Sequence, residues 1–65
     1  MNDDAVLVHA ALKEGGMTET EIATATGLSL IRTKFALDEL AVLTVADVDA
    51  EDGLEYWRLR KEAVR

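Results

Sequence analysis

The residues of this sequence best suited to chemistry are its basic side chains, and they are unevenly placed. Six of the seven lysines and arginines follow Leu28. Arg32 and Lys34 form one close pair, while Arg58 and Arg60 have the spacing that keeps two side chains on one face of a strand. Guanidinium and ammonium groups donate charge-assisted hydrogen bonds to anionic groups such as phosphates. The pattern favours binding of an anionic partner.

Catalytic and metal chemistry find little support in the remaining residues. The sequence contains no nucleophile–base pair, phosphate-binding loop or carboxylate dyad, and a chain of 65 residues has little room for an enclosed active site. Cysteine is absent and His9 is the single histidine, so neither a disulfide nor a thiolate metal site is predicted. The acids Asp47, Asp49, Glu51 and Asp52 lack the terminal glutamate spacing of a calcium loop. We therefore predict no enzyme activity, no metal and no cofactor.

The overall composition predicts one small domain that covers residues 1–65. Apolar residues make up 49% of the chain, which is enough for a compact core and argues against disorder. No stretch approaches the ~20 apolar residues that a membrane-spanning helix needs. The acidic start, Met1-Asn2-Asp3-Asp4, differs from the basic start of a secretory signal. These features predict a soluble, cytoplasmic protein that does not enter a membrane.

The formal net charge of −6 is unfavourable for binding phosphates. A high content of aspartate and glutamate, with little lysine and abundant alanine, threonine and valine, is also similar to proteins of salt-loving archaea. In such halophilic proteins an acidic surface is a general adaptation and says little about partners. A halophilic origin predicts that the stability of the chain rises between low and molar KCl.

Capping and turn residues predict the elements that must position the basic side chains. Thr18 and Glu21 fit the capping box that begins a helix, and Gly27 is suited to end it. Ser29 is a suitable N-cap for the helix that carries Arg32 and Lys34. The predicted elements are helices over about 3–14, 19–26 and 30–43, and hairpin strands over about 44–49 and 54–60. The predicted fold class is therefore α+β, with three helices followed by a C-terminal β-hairpin.

This order of elements is that of a helix-turn-helix followed by a wing. The segment from Thr18 to Ser29 resembles the motif of winged helix-turn-helix regulators of the MarR and ArsR kinds. Ala23 provides the small residue where the two helices cross, and Gly27 follows it at the turn. Leu40 matches the leucine that anchors the end of the recognition helix, and Asp52-Gly53 falls at the wing tip. The resemblance covers essentially the whole chain and implies a transcriptional regulator that binds double-stranded DNA.

The resemblance also implies which residues contact DNA. The third helix would enter the major groove, where Arg32 could make a bidentate contact to guanine. The wing would contact phosphates, or reach the minor groove, through arginines on its exposed face. The DNA-binding residues that this implies are Ser29, Arg32, Thr33, Lys34, Tyr56, Arg58 and Arg60.

A second interpretation follows from the apolar residues of the third helix. Leu30 and Ile31 lie in its first turn, where the family generally has polar residues facing the major groove. Together with Phe35 they could form an apolar patch through which a winged helix docks onto another protein. The acidic net charge favours this alternative, whereas the position of the basic residues favours DNA. A homodimer formed through the first helix, the C-terminal tail or this patch is compatible with both.

Overall fold

The computed structural model describes residues 1–61 and has three helices followed by an antiparallel hairpin. This is the predicted α+β order. The tail predicted beyond Lys61 lies outside the described residues. The elements are α1 (Asp3–Leu12), α2 (Glu19–Thr26), α3 (Leu30–Val42), β1 (Ala46–Glu51) and β2 (Leu54–Leu59).

Each helix begins at a polar side chain that accepts a hydrogen bond from the first turn. The Asn2 side chain accepts from the Ala5 amide at 2.8 Å and begins α1. The Thr18 hydroxyl and the Glu21 carboxylate form both bonds of the predicted capping box. Gly27 then ends α2 with φ of +78°, a conformation that glycine adopts without steric cost. These caps fix where α2 ends and α3 begins.

The core lies between α3 and the two preceding helices. Leu37 and Leu40 of α3 are fully buried, as are Val8 of α1 and Ile22 of α2. Burying an aliphatic side chain of this size contributes ~1.5–3 kcal/mol relative to leaving it exposed. α3 is therefore held from one side, and its opposite side faces solvent.

The hairpin is attached to the helices through one face of β2. Trp57 and Leu59 are half-buried against the core. Trp57 also forms two backbone hydrogen bonds with Met17, which precedes α2: its N–H donates at 2.7 Å and its carbonyl accepts at 2.9 Å. The wing is thus joined to the start of α2 by backbone pairing as well as by packing.

The first strand begins later than the sequence predicted, at Ala46 rather than at residue 44. Thr44 has φ of +57°, which is incompatible with an extended strand. The Val45 amide donates to the Leu40 carbonyl at 2.8 Å, so the chain is still closing the end of α3 at this point. The second strand ends at Leu59, one residue before the predicted end, although the Arg60 amide still donates to the Val45 carbonyl at 2.8 Å in continuation of the register.

The first helix is also shorter than predicted, since it ends at Leu12 rather than near residue 14. The amides of Lys13 and Glu14 donate to carbonyls three residues earlier, which tightens the last turn before Gly15. Among residues 1–61, no helix combines the length and the hydropathy that crossing a bilayer would require.

Candidate nucleic-acid interface

The outward face of α3 is apolar. Successive residues lie about 100° apart around a helix, so the face opposite the buried Leu37 and Leu40 carries positions 31, 35, 38 and 42. Ile31, Phe35 and Val42 are 62%, 67% and 81% exposed. Asp38 lies between Phe35 and Val42 on the same face. We call these four residues the α3 stripe.

The apolar patch predicted from the sequence is part of this surface. Leu30 is 53% exposed, and with Ile31 and Phe35 it remains open to solvent. The helix therefore presents large apolar side chains where a groove-reading helix would meet base edges.

Thr33 corrects one sequence prediction. Its side chain is fully buried, and its hydroxyl donates to the Ser29 carbonyl at 2.8 Å. The predicted contact between Thr33 and DNA is therefore wrong. The signal was present in the sequence, because Thr33 lies three and four residues before Ala36 and Leu37, which share its buried face.

Ser29 is exposed at the start of α3. Its hydroxyl oxygen accepts from the Arg32 amide at 3.2 Å, as expected of an N-cap. Its own hydroxyl proton remains available for a partner outside the chain. Ser29 thus combines a structural role with an accessible polar group.

Arg32 lies to one side of the α3 stripe and is bound to α1. Its Nε and Nη2 donate to the two carboxylate oxygens of Asp4 at 2.9 and 2.7 Å. This bidentate hydrogen bonding raises the pKa of Arg32, with the charge of Asp4 adding to the effect. The guanidinium that was predicted to contact guanine is therefore already engaged in the geometry that such a contact requires.

Lys34 lies on the other side of the stripe and faces α2. Its Nζ is 3.9 Å from Oε2 of Glu19, and the lysine side chain is 63% exposed. A pair at this distance in water is held weakly and exchanges partners readily. The two bases of α3 thus flank its apolar face, and each has a carboxylate from a preceding helix.

The outward face of the hairpin carries the remaining predicted residues. In the strand register, Asp47 is opposite Arg58 and Asp49 is opposite Tyr56. Arg58 forms an ion pair with Asp49, and Nε of Arg60 is 3.7 Å from Oδ2 of Asp47. Tyr56 is half-buried beside them. The face thus carries two acids of β1 next to Arg58 of β2 and Arg60, which directly follows the strand.

All four predicted DNA-binding cations are therefore ion-paired with carboxylates of the same chain. Sequence reasoning identified the cations but missed their partners, which are Asp4, Glu19, Asp47 and Asp49. The alternation of Asp47 and Asp49 opposite an arginine strand was a usable signal for the wing. No local signal marks Asp4 or Glu19, since they meet α3 only through the tertiary fold.

Comparison with solved structures identifies the architecture. The homodimeric winged helix-turn-helix DNA-binding domain of a possible ArsR-family transcriptional regulator from Mycobacterium bovis, solved by NMR, superposes with a TM-score of 0.80 at 26% identity. That alignment covers 89% of this chain and 54% of the other. The crystal structure of the same fragment has the same TM-score and identity, with 62% of that chain covered.

The adhesin competence repressor AdcR from Streptococcus pyogenes has the same fold, with a TM-score of 0.81 at 17% identity. The alignment covers 94% of this chain and 48% of the repressor. The chain thus spans about half the length of these proteins. No protein-family model and no curated protein sequence matches it. The predicted fold and its resemblance to ArsR-type regulators are confirmed: this is a winged helix-turn-helix domain.

Proposed function

We propose that this chain is the DNA-binding module of a transcriptional regulator, with α3 in the major groove and the hairpin along the phosphate backbone. The observation that supports this best is the exposure of α3, which the core holds from one side and whose outward face is flanked by Arg32 and Lys34. The similar domain from Mycobacterium bovis is a DNA-binding domain. The module would act on chromosomal DNA in the cytoplasm, and it would act by binding, not by catalysis.

The flanks of α3 would contact phosphates. Arg32 and Lys34 lie on opposite sides of the stripe, which matches the two backbones that border a major groove. Ser29 would donate its hydroxyl hydrogen to a phosphate near the start of the helix. These contacts set the position and register of the helix and carry no sequence information.

The α3 stripe would read bases through apolar contact. Ile31 and Phe35 face outward and can pack against the C5-methyl group of thymine. Asp38 can accept a hydrogen bond from the amino group of cytosine. An apolar helix face is thus compatible with base reading, provided that the target presents thymine methyl groups to Ile31 and Phe35.

The hairpin would add contacts outside the groove. Arg58 and Arg60 lie on its outward face, and the Tyr56 hydroxyl lies on the same side. Arginine and tyrosine side chains both donate to phosphate oxygens in protein–DNA complexes. Any contact that the wing makes would therefore be independent of the DNA sequence.

A salt-dependent titration tests this function. We expect mixed-sequence duplex DNA to shift the amide resonances of residues 29–37 and 54–61, and rising salt to reverse the shifts. The double charge reversal Arg32→Glu/Lys34→Glu should abolish binding. Lys13→Glu, at the end of α1 and outside this surface, serves as the control and should weaken it only slightly. Unchanged binding by the double variant would refute the proposed role of α3.

The exposed stripe favours a second function, a protein-interaction module. Ile31, Phe35 and Leu30 together form an apolar surface of the kind that marks protein contacts. The neighbour from Mycobacterium bovis is homodimeric, so a second copy is one candidate partner. Amide shifts at Leu30 and Ile31 that depend on protein concentration, with no response to DNA, would favour this function over DNA binding.

A further inference from the structure

The outward face of the hairpin places two carboxylates within reach of two guanidinium groups. Asp47 and Asp49 alternate along β1, Arg58 lies in β2, and Arg60 follows the last residue of β2. Arg58 forms its ion pair with Asp49, and Arg60 lies near Asp47, so each pair runs diagonally across the ladder. Diagonal neighbours on one face of an antiparallel pair lie within reach of long side chains. The hairpin brings these residues together, because each pair joins an acid of β1 to an arginine in β2 or directly after it.

These pairs are open to solvent and can exchange partners. The side chains of Arg58 and Asp49 are 60% and 52% exposed, and those of Arg60 and Asp47 are 50% and 53% exposed. A phosphate oxygen could therefore replace either carboxylate without any change in the core. The displaced carboxylate would remain close to the phosphate, because β1 holds it on the same face.

The ion pairs of Arg58 and Arg60 reduce the counterion release that accompanies phosphate binding. A free arginine that binds a phosphate allows a condensed counterion to leave the DNA, and this release drives association at low salt. An arginine that already faces a carboxylate brings no net positive charge to the phosphate. Its contribution to affinity and to the salt dependence is correspondingly lost.

We infer that Asp47 and Asp49 are positioning residues that occupy Arg58 and Arg60 and thereby set the affinity of the wing for phosphate. The inference rests on the proposed DNA-binding function and concerns the regulation of that same surface. In the unmodified chain the wing contributes little to binding. Loss of the two carboxylates converts it into a strong, sequence-independent phosphate clamp.

The test compares two double variants with the same change in net charge. Asp47→Asn/Asp49→Asn frees both arginines, whereas Glu14→Gln/Glu55→Gln removes two exposed acids from elsewhere on the surface. Binding of a labelled mixed-sequence duplex is measured by fluorescence anisotropy across a salt series. Asp47→Glu/Asp49→Glu, which keeps the charge, shows whether the carboxylates themselves are responsible. Thermal unfolding confirms that every variant is folded.

We expect Asp47→Asn/Asp49→Asn to bind about ten-fold more tightly near 0.1 M salt, since each new phosphate contact steepens the logarithmic salt slope by about 0.9. The matched control should shift affinity less and leave the slope unchanged, and the glutamate variant should behave like the original chain. Equal shifts and parallel slopes in the two neutralised variants would overturn the inference while leaving DNA binding intact. Absence of binding by the original chain and by all variants would overturn both proposals.

Discussion

α3 and the hairpin both present basic residues beside carboxylates, but they do so with different partners. The pairs of α3 join separate elements: Arg32 is bound to Asp4 of α1, and Lys34 faces Glu19 of α2. The pairs of the hairpin lie within one unit. We expect the bidentate pair of Arg32 and Asp4 to help hold α3 against α1, and the pairs within the hairpin to leave the fold largely unaffected. Similar ion pairs should therefore contribute to stability in one region and to the regulation of binding in the other.

The largest expected effect concerns the core that supports α3. Leu37→Ala removes a fully buried side chain and should lower the free energy of unfolding by ~2–5 kcal/mol. Leu54→Ala makes the same change at the wing tip, where the leucine is 51% exposed, and should change it by less than ~0.5 kcal/mol. Urea unfolding followed by circular dichroism measures both. Similar losses in the two variants would show that the hairpin is as much a part of the core as α3.

A second prediction separates base reading from phosphate contact. Replacing thymine by uracil in a bound duplex removes the methyl group that Ile31 and Phe35 would contact. Affinity should fall about four-fold for one methyl contact, since a buried CH₂-sized group contributes ~0.8 kcal/mol. Phe35→Ala should bind both duplexes similarly. Arg58→Ala should retain the difference between them.

Anisotropy titrations with the two duplexes provide the measurement. A uracil duplex that binds the original chain as tightly as the thymine duplex would exclude methyl recognition by the α3 stripe. In that case α3 and the hairpin would both contact DNA through phosphates alone.

The sequence predicted the scaffold well because its signals are local. The capping box at Thr18 and Glu21, the turn at Gly27 and the hairpin at Gly53 each act through neighbouring residues, and the structure contains all three. Strand boundaries were less accurate. The positive φ of Thr44 is set by closure of the end of α3, and threonine gives no hint of it.

The candidate site was harder to predict because its charge balance depends on tertiary contacts. Arg32 is recognisable as a basic residue near the start of a helix, but its partner Asp4 is 28 residues away. Thr33 was assigned to the DNA surface because the family resemblance implies that the N-terminal half of α3 contacts DNA, although its side chain is fully buried and its hydroxyl donates to the Ser29 carbonyl. The resemblance therefore identified the helix that could bind but not which of its residues face outward.

A third prediction tests whether pairing between elements stabilises α3. Asp4→Asn weakens the bidentate interaction with Arg32, while Asp3→Asn changes the same first turn of α1 without touching that arginine. Both variants lose a favourable interaction with the helix dipole, worth ~0.3–1 kcal/mol. The melting temperature of Asp4→Asn should therefore fall further than that of Asp3→Asn. Equal melting temperatures would mean that the α1–α3 pair adds no stability and that the contrast with the wing is unfounded.

The smallest expected effect per residue is the change in melting temperature with salt. This effect involves the acids of the hairpin. The chain carries 13 acids against seven bases, so screening should reduce repulsion among carboxylates and raise the melting temperature between low and molar KCl. This is the behaviour proposed for a halophilic protein. Asp47→Asn/Asp49→Asn removes two of the four acids between residues 47 and 52 and should show a smaller rise. A melting temperature indifferent to KCl would argue against salt adaptation and would leave the regulation of phosphate binding as the proposed role of these two acids.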